Sequence, residues 1–271
     1  MTLIAVSIRA VIIAEARSDN NMLNVGSLNE FRCHATIYPM VNDKIPVHIA
    51  LIPDGNRRWA AANNLPAFEG HRRGYEVSQM IVHQAWDMGV KIMSLWGFST
   101  ENWSRSDPEV NALMSLFAEM MDKNLEEALE KSTRIIHLGR KDRLSAYLRD
   151  KIIAVEEQTA HISKHYLVVG LDYGGKDEIV RAIREICKSQ LPFEEVTAPV
   201  IEKYLDTKNL PKSAPDLIIR TGGERRTSGF MTWQTDYSEW SFVDKYLPDF
   251  TTEDFKQCIA DYQHRQRRFG K

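Results

Sequence analysis

A single α/β domain on a mostly parallel sheet, flanked by helices, is the architecture this sequence predicts. Three observations carry that expectation. Short apolar runs recur along the chain, stretches of helical spacing fall between them, and the runs are near-continuously apolar rather than alternating. A first strand is expected at 48–52, "HIALI", ended by Pro53-Asp54-Gly55, with helical sequence resuming near Trp59. Within 75–88, Val77, Met80, Ile81, Ala85 and Met88 follow helical spacing and lead to a second strand at 92–97. The segment 110–129 repeats that spacing with Leu113, Met114, Phe117, Met120, Met121 and Leu125. A strand at 133–138, a helix at 144–159, a strand at 167–171, a helix at 176–187 and a strand at 217–219 continue the alternation. Residues 192–215 are loop-like but too short and mixed to divide the chain, so one domain is expected from 45 to 271.

Residues 1–44 are expected to be an N-terminal extension before that domain. The apolar stretch 3–14 is too short to span a bilayer and lacks a basic leader, which argues against a signal peptide. A chain that is 43% hydrophobic and 27% charged has enough apolar residues for a sizeable core. With 35 basic against 37 acidic residues, net charge −2, no broad nucleic-acid surface is expected, and any anion site must be local. Cys33, Cys187 and Cys258 have no metal or redox spacing and suit packing in a reducing compartment. A soluble, cytoplasmic protein is the resulting expectation.

In an open parallel sheet, ligands bind beyond the carboxyl ends of the strands. The chemistry-bearing segments fall there: 54–58 after the first strand, "GFSTENWSR" after the second, "DYGGK" after a later one and "RTGGERRTSG" after the last. Gly55 permits close backbone approach, and Arg57 and Arg58 offer forked guanidiniums suited to phosphate. Asp54 would repel phosphate unless Mg2+ bridges it to the ligand, since that ion commonly takes one or two carboxylates plus phosphate oxygens. Pro-Asp-Gly is also a good plain reverse turn, so the segment taken alone supports both readings evenly. Arg220, Arg226 and Ser228 flank Gly222-Gly223 and would suit a second phosphate; a solvated basic loop is the plainer reading. Neither glycine run matches a dinucleotide fingerprint or a P-loop, which disfavours a nucleoside triphosphatase. No G-x-S-x-G and no H-E-x-x-H occurs; most of the eight histidines are expected at the surface or in caps, with His71 in "EGHRRG" the exception.

Taken together, "HIALIPDGNRRWA", "GHRRG", "GFSTENWSR", "YGG", "DLIIRTGGERRTSGF", "WQTDYSEWSF" and "RQRRFG" resemble the cis-prenyltransferases, the family of undecaprenyl diphosphate synthase, from about residue 47 to 270. The resemblance implies a sheet-and-helix catalytic domain over 45–271, with a hydrophobic tunnel between the sheet and two helices. It implies condensation of an allylic diphosphate with isopentenyl diphosphate to form cis double bonds. Asp54 would be catalytic and hold Mg2+, with Glu239 as a second magnesium-linked carboxylate. Gly55, Asn56, Arg57, Arg58 and His71 would bind the allylic diphosphate, with Ser99, Asn102, Trp103 and Arg105 on a segment that closes over it. Asn102 is also a catalytic candidate, and Asn102, Asp54 or diphosphate itself would take the proton. Arg220, Arg226 and Ser228 would bind the second diphosphate. A homodimer is implied through "WQTDYSEWSF" and the tail around Arg268, as is peripheral membrane association of a long product. DDxxD signatures of trans-type synthases are absent from the sequence.

Departures from the family pattern bear on the second substrate. Pro53 replaces a methionine, Arg57 stands where bacterial members often have glycine, and Ala67 stands where many carry arginine. Arg225 replaces a histidine, and Asp172 the asparagine of "NYGG". A branch of the family joins two dimethylallyl units into irregular, lavandulyl-type products, which makes short-chain or irregular coupling the alternative to elongation. A non-catalytic prenyltransferase-like subunit is a third reading, disfavoured because such subunits lose the aspartate present here as Asp54.

Overall fold

The computed structural model describes residues 45–265. The expected extension at 1–44 and the tail around Arg268 lie outside the described residues. Strands β1 (His48–Ile52), β2 (Ile92–Ser99), β3 (Thr133–Leu138), β4 (His165–Tyr173), β5 (Leu217–Arg220) and β6 (Glu239–Phe242) form one sheet in the order β3-β4-β2-β1-β5-β6. Every neighbouring pair is parallel. All five residues of β1 are buried, which accounts for its unbroken apolar run. β6 was expected only as a strand implied by resemblance; it forms the sheet's edge.

Among the described residues, the α-helices are α1 (Asn56–Ala62), α2 (Ala67–Asp87), α3 (Asp107–Lys131), α4 (Ala146–Thr159), α5 (Gly175–Lys188) and α6 (Ala198–Glu202) between strands, and α7 (Thr252–His264) after β6. The loop-like 192–215 stretch thus contains a short helix and two 3-10 turns. On one face of the sheet, Ile49, Leu51, Met93, Leu217 and Ile219 pack under Val77 and Ile81 of α2 and Phe255 and Ile259 of α7. Beside them, α3 and α4 cover Ile135, Phe98 and Leu171. The opposite face buries Ala50, Ile52, Ile92, Val168 and Ile218 beneath Phe230 and Met231.

Local chemistry sets the helix ends that matter to the site. α3 starts with Pro108 inside its first turn beside Asp107 and Glu109, ends with Lys131, and stops at Ser132 in the left-handed region. On α2, Gly70 and Gly74 lie one turn apart; a Cβ there would stand 2.1 and 2.4 Å from Asn56 oxygens. Those glycines let α2 press directly on the start of α1.

Two histidines depart from the expectation of surface or capping roles. His48 is fully buried, with Nε2 2.7 Å from Ser94 Oγ and Nδ1 3.1 Å from the Lys212 carbonyl. His137 is buried with Nε2 2.9 Å from the Leu171 carbonyl. Strand periodicity alone does not distinguish such a buried core histidine from an exposed one. Burial is the largest influence on each and lowers its pKa from 6.5 to about 3. Both are therefore neutral when folded, whereas the unfolded chain takes up protons below about 6.5. Stability is full above that value and declines as pH falls from about 6.5 toward about 3. Denaturant titration should show a loss of about 2 kcal/mol from this pair between about pH 6.5 and 5.5. A flat profile across that interval would contradict neutral burial of the two rings.

Candidate active site at the strand ends

The sheet order reverses beside β1: β2 lies on one side of it and β5 on the other. Such a switch point leaves a crevice beyond the strand ends. Asp54 leaves β1 at this crevice and Arg220 ends β5, and the two meet with Arg220 Nη2 donating to Asp54 Oδ2 at 2.9 Å. Arg58, one helical turn on, donates from Nη2 to Asp54 Oδ1 at 3.1 Å. The backbone of Asp54 is fixed as well. Its N–H donates to Thr221 Oγ1 at 2.9 Å, and that hydroxyl donates back to the Asp54 carbonyl at 2.8 Å. Gly55 sits at φ +105°, where an added Cβ would stand 2.6 Å from the Tyr246 ring. Only glycine satisfies both conditions.

Arg220 also organises the loop after β5. Its side chain is 5% exposed, and its Nη1 donates to the Arg226 carbonyl and, at 2.8 Å, to Ser228 Oγ. The structure thus gathers Arg220, Arg226 and Ser228, although the Arg226 guanidinium itself turns outward to Glu224. Glu224 also lies 3.5 Å from Arg58.

A second cluster faces the first across a polar cavity lined by residues 53–58, His71, Glu101, Asn102, Ser104 and Arg105. Its hub is Glu109 in the first turn of α3, which accepts from Arg105 Nη1 at 3.0 Å. Arg57 and His71 stand 3.6 and 3.7 Å from the same carboxylate. Burial, followed by Arg105, lowers the His71 pKa to about 4, so the ring is neutral near neutrality. Among the described residues, Asn56 Oδ1, His71 Nε2 and Arg220 Nε are buried polar atoms without a hydrogen-bond partner in the protein. Four further such atoms lie elsewhere among the described residues, and the three at this end of the sheet are placed where a ligand could satisfy them.

Pro53, Asn56 and His71 line a second, apolar cavity of about 120 Å³, several times the room a single water needs. Its walls are Gly74, Ser78 and Val82 of α2 and Leu113, Leu116, Phe117 and Met120 of α3, with Leu95, Gly97, Leu167 and Val169 of the sheet beneath. Between the helices runs a polar seam, where Tyr75 Oη and Gln79 Nε2 donate to Asn124 Oδ1 at 3.0 and 3.4 Å. A polar mouth opening into an apolar tunnel suits an amphiphile with an anionic head.

Three expected site residues take other places. Ser99 caps the 3-10 turn Thr100–Ser104 by accepting from the Glu101 N–H, and it does not line the polar cavity. Trp103 turns away from the cavity and donates from Nε1 to Asp172 Oδ1 at 2.8 Å. Glu239 begins β6 beside Leu217, while Arg220 pairs with Phe242 at the opposite end. Parallel register therefore separates it from the Asp54 end by about 10 Å along the strand. Within the chain it accepts instead from Arg265 Nη1 at 3.0 Å. Sequence reasoning missed Glu109 and Glu224. The i,i+4 spacing of Arg105 and Glu109 is the signal that points to the first.

The donor set at Asp54 fits a magnesium ion that arrives with its ligand. Among the described residues no group of three or more histidine, cysteine, aspartate or glutamate side chains is placed to hold a metal. One accessible carboxylate beside anion-binding guanidiniums is nevertheless what a hard, partly hydrated cation shared with phosphate oxygens requires.

The sequence family of undecaprenyl diphosphate synthase matches residues 52–270. The chain is 41% identical over 231 residues to ditrans,polycis-undecaprenyl-diphosphate synthase ((2E,6E)-farnesyl-diphosphate specific) of Micrococcus luteus, covering 84% of this chain and 92% of that one. It is 42% identical over 229 residues to an isoprenyl transferase of Thermotoga maritima, covering 84% and 97%. Among solved structures, lavandulyl diphosphate synthase from Lavandula x intermedia, in complex with dimethylallyl diphosphate, superposes with a TM-score of 0.81 at 31% identity, covering 84% of this chain and 99% of that one. With the fold and strand-end motifs in agreement, the chain belongs to the undecaprenyl diphosphate synthase family and is a prenyltransferase.

Proposed function

We propose that residues 45–271 form the catalytic domain, with 1–44 as an extension, and that it lengthens an allylic diphosphate by condensation with isopentenyl diphosphate. The observation that carries this reading is the polar strand-end cavity continuous with an apolar tunnel at Pro53, Asn56 and His71. The allylic head belongs at Gly55, Asn56, Arg57, Arg58, His71 and Arg105, and the second diphosphate at Arg220, Arg226 and Ser228. Each added five-carbon unit gains roughly 4 kcal/mol of apolar transfer as the tail enters the tunnel.

Asp54, released from Arg58 and Arg220 as diphosphate takes those guanidiniums, is the carboxylate that would hold Mg2+ with the diphosphate oxygens. Such an ion supplies Lewis-acid stabilisation of charge growing on the leaving diphosphate. The guanidiniums share that role. The allylic C–O bond breaks as the double bond of isopentenyl diphosphate forms the new C–C bond, and a proton leaves to generate the cis double bond. Asn102 Oδ1 already accepts from the Ser99 N–H at 3.0 Å, leaving its amide N–H groups to orient substrate. An amide is too weak a base to hold the proton, which falls to Asp54 or a diphosphate oxygen. Holding both substrates in register can lower the barrier by ~7–11 kcal/mol.

A homodimer is part of this reading. The sheet edge β6 supports it, since an edge strand leaves backbone groups open to pairing. Among the described residues, no helix is long and apolar enough to cross a membrane. We place the enzyme in the cytoplasm, with a long product drawing it to a membrane surface.

Product identification tests the reaction. Incubation with Mg2+, farnesyl diphosphate and isopentenyl diphosphate should give a series of longer cis-linked diphosphates. Product from dimethylallyl diphosphate alone would replace elongation with irregular coupling, the alternative with which the lavandulyl synthase superposition is consistent. In Asp54→Asn, which keeps an acceptor for the buried Arg220 guanidinium, magnesium-dependent turnover should fall about a thousandfold or more; near-normal turnover would remove Asp54 from the chemistry. Gly97→Leu should shorten the products, since a Cβ there already meets Leu171 at 2.9 Å and Phe117 at 3.4 Å. An unchanged product distribution in that variant would mean that the tail takes another path.

A further inference from the structure

Asp172 is fully buried at the end of β4, at φ +52°, and every contact of its carboxylate leads away from the diphosphate cavity. Arg143, from the loop between β3 and α4, donates to Oδ2 from Nε at 2.8 Å and to Oδ1 from Nη2. Trp103 Nε1 donates to the same Oδ1 at 2.8 Å. The Arg143 guanidinium stands 5.7 Å over the Trp103 ring, which packs edge-on against Phe98 with ring centres 5.2 Å apart. A forked guanidinium needs both carboxylate oxygens, so an asparagine here would lose the fork while keeping one acceptor.

This clamp grips the five-residue turn Thr100–Ser104 from behind. On its opposite side the same turn presents Asn102 and Ser104 to the cavity, with Arg105 immediately following. Trp103 is joined covalently to Asn102, so its position fixes theirs. We propose that Asp172 and Arg143 are positioning residues, which act through Trp103 to hold Asn102 and Arg105 in reach of the diphosphate. The inference rests on the proposed reading of Asn102 and Arg105 as diphosphate-site groups.

The test is a mutant cycle on full-length protein. Trp103→Phe removes the N–H donor together with part of the indole ring, and keeps an aromatic edge toward Phe98. The pair Asp172→Asn/Arg143→Met removes the ion pair without leaving a lone buried charge. Each should lower kcat about ten- to a hundredfold through displaced groups, with melting temperatures near wild type. Hydrogen exchange should quicken in 99–105 while the sheet stays protected. Because both act through one contact, the triple variant should be no worse than about twofold below Trp103→Phe. Wild-type kcat and KM in Trp103→Phe, or losses that multiply in the triple variant, would overturn the clamp. Unaltered exchange in 99–105 would do so too. Absence of condensation by the wild-type protein would instead overturn the proposed reaction, while the exchange comparison would still report on the clamp.

Discussion

The contact between Asp54 and Arg220 holds the site together, because it joins the ends of the two strands that flank the switch point of the sheet. A carboxylate and a guanidinium at such ends have no partner in their own strands. Each satisfies the other until a charged ligand arrives. Arg58 extends the pair on one side, and Ser228 and the Arg226 carbonyl extend it on the other. The glycines around it follow from that contact. A Cβ on Gly222 would come within 2.7 Å of Arg58 Nη2 and 3.0 Å of the Asp54 carbonyl carbon.

Charge is balanced in the same manner across the cavity. Arg57 and Arg105 rest near Glu109 and Arg226 on Glu224, so the guanidiniums are held by carboxylates that an incoming diphosphate can outcompete. His71 is kept neutral by burial and nearby Arg105, which leaves it able to donate one hydrogen bond without adding charge. Preorganised donors of this sort stabilise charge that develops on the leaving group at little cost in reorganisation. The tunnel works by a different force, in which apolar area removed from water keeps the growing tail bound without fixing its register.

Much of this was legible in the sequence. Unbroken apolar strands between amphipathic helices revealed a parallel sheet, and the polar segments after the first, second and fifth strands lie around one crevice at its end. Asp54, Arg58, Arg220 and Ser228 meet as their strand-end positions implied. What stayed hidden depended on three-dimensional direction. The outward turn of Trp103 onto Asp172 follows from a 3-10 turn that local sequence does not specify. The distance of Glu239 from Asp54 follows from strand register, which a motif does not encode. The burial of His48 and His137 required the layers above and below their strands.

The most direct measurement is a crystal structure with Mg2+ and an unreactive thiolodiphosphate analogue of the allylic substrate. The account predicts that the diphosphate displaces Asp54 from Arg220 and Arg58, that the Asp54 carboxylate coordinates the metal, and that the apolar tail enters between α2 and α3. A diphosphate bound elsewhere, with the Asp54–Arg220 contact intact, would contradict it.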